Sequence, residues 1–128
     1  MKSIVSHVEY TLQDVQRKLD NAKNKLDENF MVNFQWGYCE ELYIQMGIKN
    51  KLNHFLSFIE QQPERAVEWL EHNINDITER TLKGSFLGNS SSHYSNLAHT
   101  YDKEIDCSVL PIWKSVLRMI HKDNTPIK

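Results

Sequence analysis

Cysteine is scarce in this chain. Cys39 and Cys107 are the only two, they lie far apart, and they form no CxxC pair. That excludes a disulfide-built scaffold and a thiolate-paired zinc ribbon, and two reduced thiols are expected. No apolar run approaches the ~18 residues that a membrane span needs. The opening MKSIVSHVEYTLQDV carries no apolar stretch of the signal-peptide kind, so a cytoplasmic location is expected. Charge of one sign is missing too. The formal net charge is −2, which gives no overall pull towards nucleic acid or anionic lipid. There is no HExxH, no GxSxG and no internal repeat, and the only low-complexity patch is Ser90-Ser91-Ser92.

What is present is an ordinary globular composition. Apolar residues make up 40% and charged residues 25% of the 128 positions, which argues against disorder and for one domain. Residues 1–122 are expected to form that domain, with 123–128 as a tail. Val5, Val8, Leu12, Val15, Leu19, Ala22 and Leu26 recur at alternating steps of three and four. That spacing predicts one amphipathic helix of roughly 25 residues. Lys18 and Lys23 would face each other in a parallel self-zipped pair of such helices, so an intramolecular partner is expected. The basic stretch Arg17, Lys18, Lys23 and Lys25 is expected to face an acidic helix.

The stretch FMVNFQWGYCEELYIQM, residues 30–46, concentrates aromatic rings. Read at 100° per residue, Met31, Phe34, Tyr38 and Leu42 form one stripe. Val32, Trp36, Cys39, Tyr43 and Met46 form a second. So wide an apolar arc predicts a continuous central helix buried on two sides, with Gly37 allowing a close backbone approach. The pattern changes phase after Gly47, where Ile48, Leu52, Phe55, Leu56 and Ile59 begin a new stripe. A break is expected at Gly47–Asn50.

Pro63 suits the first turn of a helix that carries Val67, Leu70, Ile74 and Ile77 inward and Glu64, Glu68, Glu71 and Glu79 outward. Gly84 is a natural helix stop, and residues 84–93 read as the main loop. Tyr94, Leu97, Ala98, Tyr101 and Ile105 resume helical spacing. Asp106 or Ser108 is expected to cap a separate last helix, with Pro111 in its first turn. The expected fold is therefore all-α, a compact helical bundle of four to six helices around a central aromatic-rich helix.

Candidate chemistry is sparse. His93, His99, Asp102 and Cys107 are zinc-type ligands within fifteen residues, but their spacing matches no strong pattern. They define one alternative, a metal-dependent hydrolytic enzyme. Glu68 and His72 are four apart rather than the three of a di-iron ExxH motif, and Glu68 falls on the solvent side. Ser90–Ser92 with His93, Asp102 and Glu104 supplies the residue types of a triad without a nucleophile elbow. GSFLGNSSS lacks the lysine of a phosphate-binding loop. Lys114, Arg118 and Lys122 share one face of the last helix and define a second alternative, weak nucleic-acid binding.

Aromatic residues beyond the needs of two-layer packing carry the leading expectation. Trp36, Tyr43 and Trp69, with Lys114, Arg118 and Lys122, are the candidate partner-binding residues. The expected function is a non-enzymatic protein-binding domain of the inhibitor, adaptor, chaperone or immunity type. It needs no cofactor or metal, and its preferred form is a homodimer built on Trp36 and Tyr43.

Overall fold

The computed structural model describes residues 2–83 and 93–124, with side chains described for 2–80 and 100–122. Helix α1 (Lys2–Glu28) leads through a short α2 (Phe30–Gln35) into α3 (Tyr38–Gln61). A 3₁₀ turn (Pro63–Arg65) then opens α4 (Ala66–Lys83), and α5 (His93–Asn124) follows. The all-α bundle expected from the sequence is what forms, with no strand among the described residues. The backbone of α5 is helical through Asn124, two residues into the stretch read as a tail.

Local periodicity explains α1. Val8, Val15, Leu19, Ala22 and Leu26 are buried along its 3–4 seam, joined by Ile4. This seam packs lengthwise on α3, which runs antiparallel to it. Helix α5 runs parallel to α3. The matched pairs are Tyr43 with Tyr101, Gly47 with Ile105, Lys51 with Asp106 and Phe55 with Trp113. Helix α4 returns antiparallel to α5, bringing Trp69 to Trp113 and Arg80 to Asp106. The result is an up-down-up-down bundle of four long helices, with α2 at the turn between the first two.

The core is aromatic in its middle. Phe55, Trp69 and Trp113 lie with ring centroids 5.0–5.3 Å apart, and the two indoles meet edge to face at 88°. Trp113, Phe55, Leu52 and Leu70 are among the largest fully buried side chains. Each apolar side chain of this kind contributes about 1.5–3 kcal/mol through burial. The edge-to-face pair adds about 1 kcal/mol.

Several sequence expectations are corrected here. Residues 30–46 are not one helix. Gly37 adopts a left-handed conformation, φ 84°, and its N–H bonds back to the Phe34 carbonyl at 3.1 Å. This is a helix stop, and α3 starts anew from the Gly37 carbonyl, which accepts from Glu41 N–H at 3.0 Å. Conversely α3 passes through Gly47 without a break. Gly47 is where another element comes close. A Cβ there would sit 2.9 Å from Cγ1 of Ile105 and collide with its Cδ1. The expected roles of the two glycines are thus exchanged.

Helix α5 is also continuous across Asp106 and Pro111. Pro111 removes one hydrogen bond from the helix interior. Pro111 and Cys107 are both exposed, so the carbonyl of Cys107 that loses its donor can meet water. Asp106 caps nothing. Its side chain is 3% exposed, with Oδ2 2.9 Å from Arg80 Nη1 on α4 and Oδ1 3.4 Å from Lys51 Nζ on α3.

The expected match between the basic end of α1 and the acidic face of α4 is absent, because α1 packs on α2, α3 and α5 instead. Arg17 and Lys18 pair with Asp14 on their own helix. The Arg17 bond holds the Asp14 carboxyl below its usual range, and Arg65 does the same for Glu68.

Two stability measurements check this packing. Gly47→Ala gains about 1 kcal/mol of helix propensity but overpacks Ile105 at a cost of roughly 1–3 kcal/mol. A lower thermal midpoint is expected, recovered by adding Ile105→Val. Asp106→Ala is expected to destabilise by about 2–3 kcal/mol in denaturant titration, because it leaves two cations beside a void and removes two charged contacts.

Candidate functional site

Helix α2 is built the wrong way round for a folding element. None of its six residues is buried. Phe30, Met31, Val32 and Phe34 are 46–72% exposed, and Trp36, at its C-cap, is 77% exposed. The residue it turns towards the bundle is polar. The Asn33 amide donates to the carbonyls of Lys25 at the end of α1 and of Asn29. Asn29 caps the N-terminus, its side chain accepting from Val32 N–H at 3.3 Å. Gly37 closes the other end.

Hydrogen bonds and a left-handed glycine therefore hold α2 in place, while its greasy residues face water. Phe30 and Phe34 lean on each other with ring centroids 5.6 Å apart. Beside Trp36 lies a shallow hollow of about 290 Å³, lined by Lys18, Asn21, Gly37, Tyr38 and Glu41 between α1 and α3.

The remaining sequence candidates are scattered by the fold. Tyr43 is half-exposed but engaged with α5. Its ring lies 5.6 Å from Tyr101, and its hydroxyl donates to the Asp102 carboxylate at 3.5 Å. Burial pushes the Tyr101 hydroxyl above its ordinary pKa, with the Glu40 carboxylate adding to the effect. Trp69 is half-buried, and its ring packs inside the chain against Phe55, Phe58, His54 and Trp113. Lys114, Arg118 and Lys122 are exposed on one face of α5. They lie beyond Trp113, at the end of the bundle opposite α2. Trp36, Trp69 and the basic triplet are thus three separate places rather than one surface.

Asp102 and Cys107 are exposed. The side chains of His93 and His99, and the whole stretch GSFLGNSSS at 84–92, lie outside the described residues. Among the described residues no group of three or more His, Cys, Asp or Glu is arranged to hold a metal ion.

A groove of about 390 Å³ opens where α4 and α5 meet α3, lined by Asn50, Lys51, His54, Trp69, Asn73, Ile77, Arg80, Asp106 and Trp113. The one buried carboxylate there, Asp106, already has both oxygens engaged by cations. The groove is a seam whose charges match each other.

Sequence periodicity missed the exposure of Phe30, Met31, Val32 and Phe34. The signal was available: Asn29 is a start residue and Gly37 a stop residue, eight positions apart, so the pair brackets a helix too short to share the phase of α3.

No protein-family model, no curated protein and no solved structure matches this chain. No helix among the described residues is long and apolar enough to cross a membrane.

The exposed and the half-buried indole make a paired test. Trp69→Glu is expected to cost about 3 kcal/mol, because it removes a ring packed against Phe55, Phe58 and Trp113. Trp36→Glu is expected to stay within about 0.5 kcal/mol of the parent, as surface changes do. Circular dichroism with urea titration of both variants reads the difference.

Proposed function

We propose that this chain is a non-enzymatic helical domain that works by binding protein, with α2 as its contact surface. One observation carries the reading: α2 and its cap expose Phe30, Met31, Val32, Phe34 and Trp36 while Asn33, one of the two polar residues of α2, is spent on attachment to α1. A helix that needed its apolar residues for folding would present the opposite faces. Isolated exposed apolar residues are normal on any protein, but five of them gathered on one short helix and its cap are the kind of feature that a contact site uses. Aromatic anchors held on a rigid element are what binding hot spots use, since little side-chain entropy is lost when they dock.

The anchoring supports the same reading. Asn29, Asn33 and Gly37 fix the backbone of α2 at both ends and along its inner side. The backbone that carries the rings is thereby placed by bonds made within the chain. The expectation of a homodimer through Trp36 falls partly on this surface, whereas Tyr43 belongs to the contact between α3 and α5.

Phe34→Glu and Trp36→Glu test the proposal. Both variants are expected to keep the helical circular dichroism and urea midpoint of the parent. Both are expected to lose at least tenfold in affinity for whatever protein the parent binds, about 1.4 kcal/mol or more. Equal partner binding by parent and both variants would remove α2 from the function.

A further inference from the structure

We propose that Gly37 is a conformational gate. Its left-handed backbone closes α1 onto α3 within one chain. A residue that resists that backbone turns the chain to an exchanged dimer, in which residues 30–61 run as one helix and α1 lies on α3 of a second copy. The inference does not rest on the use of α2 as a contact surface.

The first argument is where the hairpin gets its stability. Ile4, Val8, Val15, Leu19, Ala22 and Leu26 of α1 are buried, and no residue of α2 is. Burial of α1 on α3 and α5 therefore stabilises equally whichever chain supplies α1. The link between α1 and α3 decides only which chain that is. The face that α1 covers is complementary to α1 itself, so α1 of a second copy is the occupant that fits it when the link opens. Exchange of this kind rebuilds an existing contact and needs no new surface.

The second argument is what closes the link. Asn29 caps α2, and the Asn33 amide donates to the Lys25 and Asn29 carbonyls. The chain then turns from α2 into α3 at Gly37, the one residue with left-handed backbone among the described residues, φ 84°. Most L residues are strained in that conformation. A Cβ at 37 would have Glu40 Oε2 as its nearest neighbour, at 3.3 Å, and the end of a flexible side chain can move away. The obstacle to a side chain is therefore the backbone and not crowding.

The third argument is what the straight form gains. Gly37 has no side chain with which to cap α3. A helical residue 37 would give the N–H groups of Tyr38, Cys39 and Glu40 the carbonyls of Phe34, Gln35 and Trp36, in the i→i−4 pattern. The apolar spacing already runs through the turn, since Met31, Phe34, Tyr38 and Leu42 follow at steps of three, four and four. Alanine at 37 therefore favours the straight form twice, by straining the turn and by raising helix propensity.

The test is refolding of the full chain from urea at about 500 µM, where mass action favours exchange. A photo-crosslinking amino acid in place of Leu12, which packs against the core from α1, reads the outcome on a denaturing gel. Exchange joins two chains, whereas a closed hairpin, alone or in an ordinary surface dimer, is joined only to itself. The parent is expected to give bands at 15.1 kDa. Gly37→Ala is expected to raise the doubled band about tenfold or more, and Gly37→Ala with Asn33→Ala to raise it further. Gly37→Asn, which tolerates the left-handed region, is expected to behave as the parent. A doubly substituted chain that crosslinks only within itself overturns the proposal. So does a Gly37→Asn chain that exchanges as much as Gly37→Ala, and so does a Gly37→Ala chain whose circular dichroism shows that it fails to refold, since the exchanged form is then not a stable alternative.

Discussion

One buried carboxylate sets the register of the bundle. Asp106 sits on α5 nearly sealed from water, with Arg80 of α4 and Lys51 of α3 on its two oxygens. Ion pairs of this kind add little net stability, because desolvation offsets the attraction. Their effect is on the alternatives. If α5 slid by one turn along α3 or α4, Asp106 would be buried without a cation, at a cost far larger than any gain in apolar contact. Gly47 reinforces the constraint from the apolar side. It admits Ile105 at the one level where α3 has no side chain, so the position next to Asp106 is fixed by shape while Asp106 is fixed by charge. The stacked rings of Phe55, Trp69 and Trp113 then fall into place a few turns along.

With the register held in the body of the bundle, the opposite end of the α1–α3 hairpin is released from structural duty. Helix α2 uses that freedom. Its backbone is tied down by amide bonds and a helix-stop glycine, which leaves its rings unused by the fold. The core rings come from α3, α4 and α5, whereas Phe30, Phe34 and Trp36 of α2 and its cap stay at the surface. A change in the surface rings can alter binding without disturbing the core, because the two sets share no packing.

Much of the fold was legible in single residues and their spacing. The 3–4 seam of α1 lies in the core as its period implied, and so does the inner stripe of α4 at Leu70 and Ile77. The strongly apolar end of α5 buries Val109, Trp113, Val116 and Ile120 and leaves Lys114, Arg118 and Lys122 in water. Of α2 and its cap, the spacing singles out only Trp36 as a contact residue. It sets Met31, Val32 and Phe34 on the stripes of a helix buried on two sides, because it carries the helical phase across Gly37. A left-handed residue resets that phase.

Local spacing was enough to show that the chain is helical, where α1 and α4 run, and which face of each is apolar, because these depend on contacts within four residues along the backbone. It took the packed helices to decide which glycine bends and which receives a neighbour, that Asp106 is a tether rather than a cap, and that Trp69 packs against the core rings while Trp36 lies in water. Those outcomes depend on what stands opposite each face. A periodic pattern says that a face must be covered, and carries no information about which element covers it or whether any element of the same chain does.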